Sequence, residues 1–364
     1  MSSIIIDTSA SRGVAELLKY LLESGKIDAA LTMRNDPENN TYDFGLITDA
    51  SNLGEAVPLI PVMTVNAGQV LSSISLSRKK IAVVLKPCEL RAFVELVKRE
   101  KGSLENLLTI SYTCGGVFPL DTVITGQIKE LLPKYRKTIL NGEIPLNTRD
   151  TCKACEHFIP MNVDITVSVI GECEPGVGCV MHLNTERAVE FTEGFGGERS
   201  DRKFDPSILK KTLDARLAEK EKLFASITKD GPGLDRLLDT FGKCVGCHGC
   251  SSVCPICYCL LCDFESANFD YNLPYFEEHL SRNGALRLPP DTIFFHLGRL
   301  THMSFSCVGC GMCSDVCPVD IPVAAMFKKT GEKTAALFDY LPGRDVEESI
   351  PVMVYKEEEF PDIG

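Results

Sequence analysis

Apolar residues recur with two periods along the first half of the chain, and their alternation sets the expected architecture. Val14, Leu17, Leu18, Leu21 and Leu22 stand at i, i+3, i+4, i+7 and i+8, so 12–25 reads as an amphipathic helix, capped by Ser11 and ended by Gly25. A short strand over 4–7 precedes it; a strand over 27–33 and a turn over 35–40 follow. Ile81-Ala-Val-Val-Leu85 is continuously apolar and β-branched, as a strand buried on both faces should be. It leads through Lys86-Pro87-Cys88 into a helix over 89–101. A strand over 107–112 repeats the pattern, leading through Thr113-Cys114-Gly115-Gly116 to a helix over 121–132. A further strand over 163–170 alternates and ends at Gly171. This rhythm indicates an α/β unit, in which ligands gather beyond the carboxyl ends of strands, where Cys88 and Cys114 fall.

The pattern changes after Glu193 to a polar connector, followed by a helix from Asp205-Pro206 to about residue 227, with Asp205 as cap and Pro206 in the first turn. Gly231-Pro-Gly233 then breaks the chain and carries no nucleotide signature. The expected organisation is an α/β (α+β) domain over 1–195, a linker with a helix over 196–233, a mainly helical two-cluster domain over 234–325 and a docking tail over 326–364.

The third of these is defined by cysteine spacing. Cys244-x2-Cys247-x2-Cys250-x3-Cys254-Pro255 returns as Cys307-x2-Cys310-x2-Cys313-x3-Cys317-Pro318. This is the run of bacterial two-cluster ferredoxins, in which three thiolates curl round one 4Fe-4S cube and the fourth Cys ligates the other. The predicted sets are therefore crossed: Cys244, Cys247 and Cys250 with Cys317, and Cys307, Cys310 and Cys313 with Cys254. Zinc is the rival, since paired C-x2-C knuckles also make sites with four thiolate ligands, but it leaves the third and fourth Cys of each run without a role. About 50 residues separate the runs, with a predicted helix over 291–302, more than a minimal ferredoxin needs and closer to the helical ferredoxin modules of respiratory and disulfide-reducing complexes.

Composition narrows the surroundings. The formal charge is -12, from 38 Lys and Arg against 50 Asp and Glu, which argues against nucleic-acid binding and towards proteins or small redox carriers as partners. Seventeen cysteines in C-x2-C runs of a long acidic chain favour metal over disulfides, hence a cytoplasmic setting, and tandem clusters point to an anaerobic or micro-aerobic cell. The N-terminus lacks a basic segment followed by a long apolar one, and no apolar run reaches the length of a membrane span. There is no Ser-His-Asp order and no phosphate loop.

Four thiols outside the runs, Cys88, Cys114, Cys152 and Cys155, are either ligands of one further site or buried free cysteines. Cys257, Cys259 and Cys262 make another metal site with a distant ligand or pack beside the clusters, and Cys173 and Cys179 in a Gly-Pro turn are open. His248 is placed either to hydrogen-bond a cluster sulfur or to face solvent. His296 and His302, six apart on one helix, lie roughly 120° apart around its axis and are read as core or surface residues, not joint ligands.

Gly13 with Ile27-Asp28, the 84–92 segment Val-Leu-Lys-Pro-Cys-Glu-Leu-Arg-Ala, Cys114-Gly115, Cys152-x2-Cys155, Asp164-Ile165 and Thr185-Glu186-Arg187 recur in that order in a known family. Over residues 1–190 the chain resembles the beta subunits of coenzyme F-420 reducing hydrogenases and formate dehydrogenases, and the ferredoxin part behind it is most similar to the formate dehydrogenase type. The resemblance implies a flavin (FAD) beside a third 4Fe-4S cluster on Cys88, Cys114, Cys152 and Cys155. Such a subunit exchanges a hydride with the deazaflavin coenzyme F-420 and single electrons with its clusters. Its partner would be a formate dehydrogenase or hydrogenase catalytic subunit, or heterodisulfide-reductase-like subunits. Ser11, Arg12, Gly13, Lys86, Asp164 and Thr185 are the expected flavin contacts, with no catalytic residue assigned. Family members carry a Ser-Gly-Gly run at the first helix where this chain has Ser11-Arg12-Gly13. Arg12 either pairs with a phosphate or marks an altered site, which leaves a non-catalytic iron–sulfur adaptor as the alternative.

Overall fold

The computed structural model describes residues 2–74, 78–171, 178–227, 234–286 and 289–354. Eight strands form one mixed sheet in the order β3-β2-β4-β5-β6-β7-β1-β8. They are β1 (Ser2–Ile6), β2 (Ala29–Asp36), β3 (Thr41–Ile47), β4 (Ile81–Leu85), β5 (Leu107–Tyr112), β6 (Ile165–Val167), β7 (Cys179–Leu183) and β8 (Glu198–Ser200). The parallel centre β2-β4-β5-β6 is flanked by antiparallel pairs. Its strands are buried on both faces because alternate residues feed two cores. Ala82, Val84, Leu108 and Ile110 pack with the helix Ala10–Glu23, while Ile81, Val83, Leu85 and Leu107 pack with the helices Ala67–Ile74 and Pro87–Val97.

Several boundaries differ from the expected ones, for local reasons. The first helix begins two residues early because Ser9, not Ser11, accepts the Arg12 N–H as its cap. The region 121–132 is two helices, Leu120–Ile124 and Ile128–Leu140, broken at Gly126, whose φ is +72°. The turn over 35–40 closes a hairpin with β3, a strand missed in the sequence. Gly45 interrupts its side-chain pattern, and there Arg34 crosses to pair with Asp43 at 2.9 Å. The N-terminal strand does not join the parallel centre; it runs antiparallel to β7 and β8.

The helix Pro206–Ser226, capped by Asp205, leads to Leu234–Phe241, the Cys runs, and the insert helices Leu273–Asn283 and Thr292–Met303. Gly231-Pro-Gly233 lies outside the described residues. After the helix Val323–Ala336 the described tail is not a free arm. Tyr340 Oη and Gly343 N donate to Glu95, a fully buried carboxylate of the helix Pro87–Val97, at 2.5 and 2.8 Å, and the Arg91 side chain donates to the Pro342 carbonyl at 2.7 Å. The expected docking tail is thus folded back as far as residue 354, because Glu95, Lys98 and Arg99 form a buried charge cluster that the tail completes.

Candidate metal centres and cleft

Strands β4 and β5 run in register to Leu85 and Ser111, so the Cys88 and Cys114 segments leave the sheet side by side. Cys152 sits in the short helix Asp150–Lys153, which Arg149 N ties to the Val117 carbonyl at 3.0 Å, and Cys155 follows it. The four thiols line one cavity together with Met63, His157, Phe158, Arg216 and Cys310. Arg216 reaches in from the helix Pro206–Ser226, lies over the Phe158 ring at 4.6 Å and donates to the carbonyls of Cys114 and Cys155 at 2.8 and 3.2 Å. Burial pushes the Cys114 thiol up to about 12 and raises Cys88 and Cys152, because desolvation disfavours the ionised form.

The ferredoxin-like part builds two more sets, and they cross. Cys254 of the first run lines one cavity with Cys307, Cys310 and Cys313 of the second. Cys317 lies close enough to Cys244 and Cys250 to perturb both thiols, as does Cys247. Burial lifts Cys310 to about 12 and Cys250 to about 11, whereas a side-chain hydrogen bond from Cys257 brings Cys254 down to about 6. Among the described residues no three of His, Cys, Asp and Glu draw together tightly enough to hold a single ion. Two of the three sets line cavities of their own.

One local device recurs in all three sets. Cys114-Gly115-Gly116, Cys244-Val245-Gly246 and Cys307-Val308-Gly309 each place a glycine of positive φ (+100°, +66°, +70°) two residues after the thiol, and each glycine turns its N–H onto that sulfur. Such N–H···S contacts favour the thiolate and tune a cluster. This Cys-x-Gly signal ties Cys114 to the two ferredoxin runs and is readable in the sequence.

The set of Cys88, Cys114, Cys152 and Cys155 adjoins that of Cys254, Cys307, Cys310 and Cys313. Cys310 lines both cavities, and Met63, Val117 and Met312 pack between them against Cys88 and Cys152. Arg149 closes the joint, with Nη2 2.6 Å from Asp315, Nη1 donating to the Cys310 carbonyl at 3.2 Å and Nη2 to the Met63 carbonyl at 3.0 Å. A lone Arg carries no pattern, so this clamp was not legible in advance.

On the other side of the Cys114 loop lies a cleft of about 670 Å³, within the range of cofactor sites. Ser9, Ala10 and Ser11 at the start of the first helix line one wall; Lys129, Arg136 and Lys137 of the helix Ile128–Leu140 supply three cations to another. Those cations fall at i, i+7 and i+8, a face the sequence reading passed over. Tyr135 lines the cleft and donates to the Gly116 carbonyl at 2.9 Å, so one side chain spans the distance from the cleft to the thiol loop.

Of the residues expected around a flavin, only Ser11 lies in this cleft. Arg12 is an exposed ion pair with Glu16 at 3.0 Å, and Gly13 is small because Cys179 of β7 packs against it. Lys86 is buried against Glu89 at 3.5 Å and lines the thiol cavity. Asp164 accepts from Thr109 N and Oγ1 (2.9 and 2.8 Å) and from Thr185 Oγ1 (2.7 Å), tying β5 to the cap of the helix Glu186–Phe191. His248 hydrogen-bonds Glu265 through Nδ1 at 2.8 Å and stacks on Phe295 at 4.2 Å. His296 is buried and stacked on Phe241 at 4.2 Å, while His302 is exposed. Cys259 is exposed, Cys262 half-buried and Cys179 buried, and Cys173 lies outside the described residues.

A mixed α/β sheet domain joined to crossed cysteine runs defines an iron–sulfur electron-transfer protein. Residues 243–321 match the 4Fe-4S dicluster domain family. The chain is 30% identical to the F420-dependent formate dehydrogenase 1 subunit beta of Methanococcus maripaludis over 92% of its own length and 91% of the relative's. It is 29% identical to the F420-dependent formate dehydrogenase subunit beta of Methanocaldococcus jannaschii over 93% and 92%. It belongs to this family of F420-dependent formate dehydrogenase beta subunits. A chain of the F420-reducing [NiFe] hydrogenase complex from Methanosarcina barkeri superposes on it with a TM-score of 0.47 and 13% identity, covering 64% of this chain and 92% of that one. No described helix is long and apolar enough to cross a membrane.

Proposed function

We propose that this subunit carries electrons between a flavin in the sheet-domain cleft and a partner oxidoreductase, through three 4Fe-4S clusters ordered by the chain itself. The observation that carries the reading is the continuity from cleft to Cys run. Tyr135 joins the cleft to the Cys114 loop, and Cys310 lines both the cavity of Cys88, Cys114, Cys152 and Cys155 and that of Cys254, Cys307 and Cys313. The crossed pairing of the runs extends the line to Cys247, whose side is exposed. The ligand sets are Cys88, Cys114, Cys152 and Cys155; Cys254, Cys307, Cys310 and Cys313; and Cys244, Cys247, Cys250 and Cys317.

The donor set fits these groups. Four soft thiols around each void suit an iron–sulfur cube, and three cations beside a helix start suit the phosphates of FAD. A bound flavin exchanges electron pairs with a hydride carrier such as F-420 and single electrons with clusters. The chain's residues bind and insulate: Lys129, Arg136 and Lys137 hold phosphate, Tyr135 closes the wall between cleft and thiols, and Met63, Val117 and Met312 exclude water from the joint. The partner is a formate dehydrogenase, hydrogenase or heterodisulfide-reductase-like subunit. The domains run 1–195, 196–233 and 234–325, with the remaining tail sealing the first against the last.

The test is anaerobic purification with flavin supplied, followed by flavin fluorescence after denaturation and an iron count on the same sample. We expect flavin and about twelve irons, the content of three cubes, and loss of flavin alone in Arg136→Glu/Lys137→Glu. Twelve irons without flavin would replace this reading with a cluster-only adaptor, which the exposed Arg12–Glu16 pair favours.

A further inference from the structure

The insert helix Thr292–Met303 separates this chain from a minimal two-cluster ferredoxin, and its Arg299 has no ordinary partner. The residue is buried (3% exposed) between the Phe295 and Phe327 rings, with its guanidinium 5.6 and 5.0 Å from their centroids. Among the described residues no carboxylate pairs with it. It donates instead from Nη1 to the Cys250 sulfur and from Nη2 to the Cys250 carbonyl, each at 3.0 Å. Its Nε, also buried, has no hydrogen-bond partner in the protein, although Arg299 lines the cavity ringed by Cys254, Cys307, Cys310 and Cys313. Those thiols belong to one set, and Cys250 belongs to the other.

A buried guanidinium without a carboxylate needs another anion. The anions on offer are the thiolates of the two sets, and Cys250 of one set and Cys254 and Cys313 of the other act electrostatically on it, as does the neighbouring Cys257 thiol. We propose that Arg299 is the shared counter-cation of the two ferredoxin-type clusters, raising the reduction potential of both. The inference rests on the reading of these thiols as cluster ligands. A cube gains one negative charge on reduction, so a fixed cation favours the reduced form and raises the potential. The effect is greater on the cluster bound by Cys250, whose sulfur takes the charge-assisted bond. The insert thus adds a side-chain cation to the backbone N–H groups of Gly246 and Gly309 that already meet cluster sulfurs.

The experiment is an EPR-monitored redox titration of the full chain, purified anaerobically and reduced with dithionite through mediators. In Arg299→Met both midpoints should fall, that of the Cys250 cluster further. Arg299→Lys, which keeps the charge, should return them most of the way. Unchanged midpoints in Arg299→Met at full iron content would overturn the proposal. Equal losses in the Lys and Met variants would also overturn it, by assigning Arg299 to packing. Should Arg299→Met lose iron, the unmutated protein decides: after [15N]arginine labelling, ENDOR of the reduced state should show nitrogen coupled to the Cys250 cluster, and its absence sinks the idea. An unmutated chain without iron and sulfide would refute the cluster reading itself, a separate failure.

Discussion

The strand-end thiols and the two cysteine runs are brought together by opposite routes. Each run gathers three ligands within seven residues, and left-handed turns at Gly246 and Gly309 make that curl locally. The set of Cys88, Cys114, Cys152 and Cys155 spans 68 positions and converges only because β4 and β5 end together and Arg216 draws two carbonyls inward. Each run therefore needs tertiary packing only for its fourth, crossed ligand, whereas the strand-end set needs it for all but the Cys152-x2-Cys155 pair.

The strongest way to break this contrast is to remove one ligand from each region. Cys317→Ser should cost the cluster on Cys244, Cys247 and Cys250, lowering the iron count by about four, the content of one cube; loss of the other ferredoxin cluster instead would disprove crossed ligation. Cys152→Ser should cost about four irons while leaving the EPR of both ferredoxin clusters intact. If the unmutated protein holds only about eight, the strand-end set binds no cube.

The joint between the regions offers a smaller effect, read by denaturant unfolding. Arg149→Met leaves Asp315 buried without its cation, and burial already raises that carboxyl. A broken buried pair costs about 3–5 kcal/mol, and a change below about 1 kcal/mol would mean the two halves are not clamped there. Gly311→Ala probes the same seam more gently. Its φ is +86° and a Cβ would press on Thr151 and Arg149, so we expect a loss of roughly 1–3 kcal/mol. At Gly309 a Cβ meets only Lys328 at 3.4 Å, so the matching substitution should cost less. Smallest is Arg12→Glu, which breaks an exposed i,i+4 pair worth roughly 0.2–0.5 kcal/mol and should leave flavin content unchanged. Released flavin would restore Arg12 to the phosphate site.

Legibility in the sequence follows the same division. The runs were readable because spacing alone dictates their geometry, and the strand Ile81–Leu85 because a doubly buried strand is best made continuously apolar. Cys88, Cys114, Cys152 and Cys155 came forward through family resemblance, since nothing in their separations foretells convergence. Lys86, Asp164 and Thr185 recur with the same motif, yet here they serve a salt bridge and a strand-to-helix tie, roles a shared motif does not distinguish from cofactor contact. Arg149, Arg216 and Arg299 were invisible because a single buried cation is defined by what surrounds it.

The fold-back of Tyr340 and Gly343 onto Glu95 bears on the order of events at the ribosome. Nearly 250 residues separate the carboxylate from these partners. At a synthesis rate of about 5–20 residues per second, Glu95 waits roughly 12–50 s for them. The helix Pro87–Val97, whose second residue is Cys88, therefore acquires its seal only once Tyr340 and Gly343 emerge. Until residues 340–343 emerge, that helix must hold its place without the hydrogen bonds they donate to Glu95.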